Sequence, residues 1–513
     1  MLTRFPLIAD RVIEWGIIFL LVFTPLALPT RYGLLHLWVY TIIEITIFVL
    51  VIIWLLKRII IAINANSDLR IPNSIIINRF GFVKTPLNIP IILFVGLIIL
   101  QLIPLPPGAL KLLSANTYYL YQNSNPLPAT RNQNLEISPT KLPISNEQPD
   151  IQTQRSEISD WLPITIYHYA TKSEFIMILA YIGMFFLVTN TPGLRIDRFL
   201  LIIMGVGFFV SFLGILQKFA GADKIYWLLD SPGPSFFGSF INRNHFAGYI
   251  IMVIPLSLGL LISRFGSITF HKTMTWRVIF TEFESHILGN GLLVFAIMIM
   301  VSALFLSLSR GGILSFAVTI VVFVTIISLS RKTRSIISKG RKVTIITLFL
   351  AFILLVWLGI GPVMERLSDI SSPDRNQVFQ DTIDMTKDFP LLGSGLGTFQ
   401  HLFPKYKTLE RQQFYDHAHN DYVELLSDSG LIGFILIIGS IIIFIRKILV
   451  RWWERGDSFA KGVTLGGFCG IIAILCHSVT DFNLHIPANA LFLSFLLGLT
   501  WNAVNRESSY NEN

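Results

Sequence analysis

The sequence predicts an all-α integral membrane protein with about twelve transmembrane helices and a large outer loop ahead of the tenth. Three observations carry this. Mean hydropathy is +0.64, far above that of soluble domains. Of the 513 residues, 53% are hydrophobic and only 14% charged, too few charges to cover a soluble surface. Apolar runs near the ~20 residues that cross a bilayer recur along the chain. Such runs form a helical bundle, because irregular backbone and open sheet edges are not satisfied in lipid.

Taken in order, the runs fall at 14–29, 38–56, 89–105, 174–190, 198–217, 245–263, 290–309, 312–330, 343–362, 429–446, 462–480 and 485–503. The first ends at Pro29, follows Arg4 and Arg11 and has no small-residue cleavage site, so it reads as a retained span. The chain then divides into 1–105 with helices 1–3, a polar outer loop 106–173, 174–362 with helices 4–9, an outer loop 363–428, 429–503 with helices 10–12, and a tail 504–513. The net charge of +9 is topological and does not mark a nucleic-acid partner. Lys57, Arg58, Arg70, Arg79 and Lys84 fill one short connection, Arg331 to Lys342 another, and Arg446 to Lys461 a third, all on one side if spans alternate. The positive-inside rule places that side, and both termini, in the cytoplasm. Cys469 and Cys476 lie in one span about 10 Å apart along the axis, which reads as packing and excludes a disulfide within the helix.

The same topology puts both long polar segments outside. The middle of 106–173 is rich in Asn, Pro, Ser, Thr and Gln and reads as a poorly ordered loop, or as one that carries a short amphipathic piece near Trp161. The second, 363–428, holds an amphipathic helix from near Pro373 to before Pro390 and the stretch HAHNDYVELL. Arg243, Asn244, His245, Arg310, Arg375, His417, His419 and Glu424 are thus scattered in sequence yet share one membrane face, where they can line a single cavity.

Each cluster has a chemistry and a plainer alternative. In SLSRGG, Arg310 sits at a tight turn, where a guanidinium forks onto phosphate oxygens; an interfacial arginine that snorkels is the alternative. INRNHFAG sets Arg243, Asn244 and His245 at a helix start, either as a cap or as a donor cluster for an anionic group. GSGLGTF at 393–399 follows no strand and lacks the Lys-Ser/Thr of a nucleotide loop, so it is not read as one. If a residue near Asp416 caps a helix, His417 and Asp421 share a face, as do Asn420 and Glu424. His417 and His419 then diverge by roughly 200°, so HAH ligates a metal only from extended backbone. Acid/base work by an imidazole, with Asp421 or Glu424 orienting it or holding a sugar hydroxyl, fits better. HSVTDFNLHIPAN at 477–489 brings His477, Asp481 and His485 to the same face, either at the cavity border or as polar helix ends.

Over roughly 200–490 the chain resembles the O-antigen ligase and polymerase superfamily of bacterial polytopic glycosyltransferases. The family's histidine motif is His, then Asn, Ser or Gln, nine residues, Gly, two residues, and Gly, Thr or Tyr. His419, Asn420, DYVELLSDS, Gly430 and Gly433 fit it. An Arg with Leu four positions on is met by Arg310 and Leu314, whereas Arg375 is followed by Phe379. FINRNHFAG and PLLGSGLGTF are also typical of the group.

The resemblance implies a GT-C-like fold in the bacterial cytoplasmic membrane, acting on its periplasmic or outer side. The implied donor is a polyprenyl-diphosphate-linked glycan, and the acceptor a hydroxyl on a lipid, glycan or protein. It implies no cofactor, no catalytic metal and no nucleic acid, with the membrane lipids as a further partner. His419, Arg310 and Arg375 are the implied catalytic residues. Arg243, Asn244, His245, Asn420, Asp421, Glu424 and His417 are the candidate substrate-binding ones. Ligase, repeat-unit polymerase and protein O-glycosylating enzyme share this chemistry. Twelve spans also suit a transporter, but its ionisable groups belong near the midplane.

Overall fold

The computed structural model describes residues 5–27, 35–67, 82–124, 161–191, 193–230, 235–267, 276–329, 334–359, 361–368, 373–409 and 414–506. The architecture is a helical bundle. Its only strands among the described residues are the short antiparallel pair β1 (Lys224–Ile225) and β2 (Leu229–Asp230). A helix stands at each of the twelve expected spans: α1 (Phe5–Leu26), α2 (Leu35–Ser67), α3 (Asn88–Leu102), then, after two short helices α4 (Pro107–Leu113) and α5 (Ala115–Ser124), α6 (His168–Asn190), α7 (Ile196–Phe219), α8 (Arg243–Ser267), α9 (Trp276–Leu306), α10 (Arg310–Leu329) and α11 (Arg334–Gly359). Three further short helices follow, α12 (Gly361–Ser368), α13 (Pro373–Asp388) and α14 (Phe399–Leu402), before α15 (Asp421–Glu454), α16 (Ser458–His477) and α17 (Pro487–Asn505) close the bundle.

Among the described residues, nine of these helices are long and apolar enough to cross a membrane, while α3 and the 344–359 part of α11 are apolar but shorter. α1 starts nine residues before the expected span. Its charges depress local hydropathy but are paired: Asp10 with Lys57, and Glu14 with Arg195 at 3.3 Å and Arg198 at 3.0 Å. Pairing removes much of the penalty that bare charges carry in a low-dielectric setting.

α8 is the hub of the bundle. It packs along α16 through glycines, so closely that a methyl at Gly259 would lie 2.2 Å from the Gly462 carbonyl oxygen. Small residues at such a crossing let two backbones meet, which gives dispersion contacts where no hydrophobic drive between helices exists. The crossing fixes the N-terminus of α8 beside the C-terminus of α16, and so sets one end of the bundle as a platform.

Two expectations are corrected. The start of the 106–173 segment is folded: α4 and α5 bury Leu110 and Tyr118 against Phe94, Ile164, Leu392 and Leu396, and Tyr121 donates a 2.6 Å hydrogen bond to the Thr165 carbonyl. Residues 125–160, the polar middle of that segment, lie outside the described residues. The helix expected from near Asp416 begins instead at Asp421, with Asn420 as its cap: the Asn420 side-chain oxygen accepts from Tyr422 N and Val423 N. His417 and His419 are therefore not helical. The 373–388 helix lies where the sequence put it, with Val378 and Met385 fully buried.

α15 breaks at Gly430, whose φ of 64° and ψ of −174° are not helical. The amides freed by the break are taken up by the preceding loop, Leu431 N bonding to Pro390 O at 2.8 Å and Ile432 N to Leu391 O at 3.2 Å. A side chain at Gly430 would meet the Leu391 backbone at 2.3 Å, so both conformation and space require glycine there. The break separates the first turns of the helix, which follow the HND stretch, from its long apolar remainder.

Candidate active site

His245, Arg375, His417, His419, Asp421 and Glu424 all reach the turn after α16, residues 478–486. Three backbone and side-chain ties hold the start of α15 to it. Asp421 N donates to Ser478 O at 2.9 Å, the Tyr422 hydroxyl to Leu475 O at 2.6 Å, and Leu484 N to the Asp421 carboxylate at 3.2 Å. At the centre lies Phe482, which is 7% exposed. Three imidazoles pack on its ring: His417 stacked at 4.5 Å, His245 edge-on at 4.8 Å and His419 tilted at 4.9 Å. An apolar ring buried under three titratable groups fixes their directions without competing for their hydrogen bonds.

His419 has a positive φ of 53°, a conformation that few residues other than glycine adopt and that His tolerates better than most. It turns the ring toward Asp481, whose Oδ1 lies 3.3 Å from His419 Nδ1. Asp481 is buried, and burial pushes its carboxyl up. The hydrogen bond from His419 and the fields of His245, His419 and Arg375 outweigh this and hold it well below the usual carboxylate range. An ionised carboxylate can only accept, so Nδ1 of His419 is the donor and Nε2 is left as the basic nitrogen. The side chain of His419 remains 22% exposed, open to a reactant, while that of Asp481 is 1% exposed.

Two arginine-bearing segments reach the turn that carries this pair. Arg375, on the first turn of α13, donates from Nη1 to the Thr480 carbonyl at 3.1 Å. Arg310 opens α10, and the next residue, Gly311, lies so close to the same turn that a methyl there would come within 2.2 Å of Thr480 Oγ1 and 3.0 Å of the His477 ring. The α9–α10 turn is also tied to α8, Ser309 Oγ donating to Asn244 Oδ1 at 2.8 Å. The stretch around Thr480 thus brings two guanidinium-bearing segments and the His419–Asp481 pair together.

Not every candidate side chain is available to a ligand. Asn420 is spent on its cap and Asp421 on Leu484 N. Glu424, 1% exposed, clamps the loop before the helix: its Oε2 accepts from Ala418 N at 2.8 Å and its Oε1 pairs with His417 Nδ1 at 2.7 Å and His485 Nε2 at 3.3 Å. These three side chains shape the 417–420 turn that holds His419. Arg243 faces elsewhere, lining a cavity with Lys218 and Gln217. Asp481 was visible in the sequence only as one of several polar residues in a helix connection; its pairing with a histidine 62 positions away emerges from the fold.

His417, Glu424 and His485 offer ligand atoms within 4.8 Å of one another. The shortest separation, 2.7 Å, is that of a hydrogen bond. A tetrahedral zinc with bonds of about 2.0–2.2 Å spaces its donors about 3.3 Å or more apart. The trio therefore reads as a proton-sharing cluster. Burial pushes His417 down, but the field and hydrogen bond of Glu424, with Asp416 and Glu174 behind it, raise it to about 9. Burial lowers His485 to about 4 against the pull of Glu424. A raised histidine stabilises fully below its unfolded value of 6.5 and loses that contribution as pH rises through about 9. A depressed one costs stability as pH falls from 6.5 toward about 4. The melting temperature of the detergent-purified protein is expected to peak near pH 6.5 and fall toward pH 9, and Glu424→Gln to flatten the alkaline limb. A wild-type melting temperature unchanged from pH 6.5 to 9 contradicts the His417–Glu424 pairing.

Residues 295–438 match the family model described as O-Antigen ligase. The match supports the O-antigen ligase superfamily for this stretch of the chain. No curated protein matches the chain. The match runs from α9 into α15 and contains Arg310, Arg375, His419, Gly430 and Gly433, whereas Arg243 and Asp481 lie outside it. Together with the apolar helices, the match suggests a multi-pass, glycan-transferring enzyme of O-antigen ligase or polymerase type, a family that works in general on a lipid-linked glycan and an acceptor.

Proposed function

We propose that the protein transfers a glycan from a polyprenyl-diphosphate carrier to an acceptor hydroxyl, without a catalytic metal, at the outer face of the bacterial cytoplasmic membrane. The observation that carries this reading is the His419–Asp481 pair beside the Arg310 and Arg375 segments. Nε2 of His419 removes the proton from the acceptor hydroxyl as its oxygen attacks the anomeric carbon. The bond from that carbon to the diphosphate oxygen breaks, and the carrier leaves as the polyprenyl diphosphate. A single displacement of this kind inverts the anomeric centre. Asp481 keeps the Nδ1 proton in place and stabilises the imidazolium that forms, as a buried carboxylate does for a catalytic histidine elsewhere. Arg310 and Arg375 meet the charge that grows on the leaving diphosphate, where fixed cations act without reorganisation.

The test is twofold. Purified protein in detergent, given a lipid-linked glycan and a hydroxyl acceptor, is expected to form product without added metal or nucleotide. Movement of the lipid-linked glycan across a sealed bilayer, with no covalent transfer in detergent, would identify a transporter. In cells lacking the gene, long glycan stranded on its lipid carrier identifies a ligase acting on surface lipopolysaccharide or another acceptor; glycan reduced to single repeats identifies a polymerase; and loss of glycan from proteins alone identifies a protein O-glycosylating enzyme.

A further inference from the structure

Two carboxylates on the packed helices α2 and α6 have no use within the fold. Glu44 lies in the Trp38–Ile63 stretch and Glu174 in the His168–Asn190 stretch, both long and apolar enough to cross a membrane. The Trp54 and Phe186 rings meet at 4.7 Å, and a methyl at Gly183 would lie 2.4 Å from Ile47 Cγ2. That packing brings Tyr40 and Glu44 of one helix to Glu174 and Tyr181 of the other, close enough for both acids to act on both phenols. Among the described residues, neither acid accepts a hydrogen bond or pairs with a lysine or arginine.

The four side chains line a crevice. Glu44 stands at its edge, next to the exposed Ile45. Glu174 and Tyr181 lie deep in the bundle and still keep part of their surface accessible, and the Tyr181 hydroxyl has no hydrogen bond. The deep end closes under the 393–399 loop. A methyl at Gly397 would come within 2.6 Å of Glu174 Cγ, and Thr171, one turn earlier, donates to Leu396 O at 2.8 Å. Behind the loop, Asp428 accepts from Gly397 N through Oδ2 and leaves Oδ1 buried without a partner. The cation whose field reaches Glu174 is His417, and its Nδ1 is already committed to Glu424 at 2.7 Å.

A bare carboxylate among apolar helices is costly, and such groups pair with one another, with a base or with a ligand. Here the chain supplies acids and phenols but no base. Carboxylates beside aromatic rings are the combination that recognises an ammonium: the acids accept its N–H groups and the ring faces attract its charge. The same crevice repels a phosphate. We propose that the crevice between α2 and α6 binds a primary ammonium group, with Glu174 and Glu44 as its acceptors and the rings of Tyr181 and Tyr40 as its walls. An aminated sugar and the headgroup of an ethanolamine phospholipid both carry this group. The inference goes beyond the transferase reading and does not rest on it, since binding needs no turnover.

The experiment is calorimetric titration of the purified full-length protein with glucosamine and with N-acetylglucosamine, the same sugar without the ammonium. Wild type is expected to bind glucosamine more tightly. Glu174→Gln should weaken glucosamine by about tenfold or more, the loss of one charge-assisted contact, and leave N-acetylglucosamine unchanged. Glu44→Gln, at the edge, should do the same to a smaller extent. Both variants are isosteric, and each should melt no lower than wild type, because a neutral amide replaces a bare carboxylate. Repeating the titration in nanodiscs of phosphatidylcholine alone or with phosphatidylethanolamine separates the sources. Competition by phosphatidylethanolamine that Glu174→Gln abolishes assigns a lipid headgroup, and undiminished binding of glucosamine assigns an aminated sugar. Either result supports the site. Wild type that binds glucosamine no more tightly than its acetylated form, or Gln variants that bind it as wild type does, overturns it.

Discussion

Replacing His419 with Asn is expected to lower glycan transfer by roughly 10²- to 10⁴-fold, the range that a positioned general base contributes. The choice of variant follows from the backbone. At φ 53° an alanine adds conformational strain to the loss of the imidazole, whereas Asn tolerates the left-handed region. His419→Asn therefore removes the base and keeps the turn, and its melting temperature should stay close to wild type. Asp481→Asn should reduce kcat with little change in KM. It removes the acceptor that fixes the Nδ1 proton and leaves the outer surface of the site intact, since the Asp481 side chain is 1% exposed. The measurement is steady-state transfer in detergent with the thermal stability of each variant beside it. Near-normal transfer by His419→Asn removes the base role from this residue, and an Asp481→Asn variant that raises KM alone makes Asp481 a substrate contact.

How far the sequence leads to this site depends on the range of the interaction involved. Spanning helices are legible because their cause is local: each apolar run carries its own signal, and α1 begins earlier than expected only because Asp10 and Glu14 find partners on other helices. His419, Arg310 and Arg375 are legible as types at spacings. The meeting of His419, Arg375 and the segment that carries Arg310 around Thr480 and Phe482 is not, since it depends on the α8–α16 glycine crossing and on the break at Gly430. Asn420, Asp421 and Glu424 stand in the sequence as candidate substrate contacts; the fold uses them to cap a helix, hold a turn and clamp the 417–420 loop. GSGLGTF likewise serves the fold. Gly397 N donates to the Asp428 carboxylate at 2.7 Å and Gly395 N to the Asp428 carbonyl at 3.1 Å, so the glycines wrap the kinked helix. Asp481 is the residue that sequence reasoning placed least well. An aspartate in a helix connection is ordinary, and only the distance to His419 gives it a role.

Arg310→Ala is expected to cut the transfer rate by about 10²- to 10³-fold, equivalent to about 2.7–4 kcal/mol of transition-state stabilisation. The charge on the leaving diphosphate grows as the glycosidic bond breaks, so a cation there acts mainly on kcat. Arg310→Lys should recover only part of the loss, because an ammonium is a point charge where a guanidinium forks onto two oxygens at once. Arg375→Ala should do less harm than Arg310→Ala. Arg375 already gives Nη1 to the Thr480 carbonyl and so divides its donors between fold and substrate. Because both cations serve one leaving group, the double variant is expected to fall short of the product of the single losses, as groups acting as a unit do. The decisive comparison is single-turnover transfer set against donor binding for the two single variants and the double. A rate loss with donor affinity retained places Arg310 on the leaving group. A loss of donor affinity with the single-turnover rate intact makes it an anchor for the ground-state diphosphate, and the developing charge must then be met by another cation, for which Arg243, next to Asn244 across the Ser309–Asn244 bond, is one candidate.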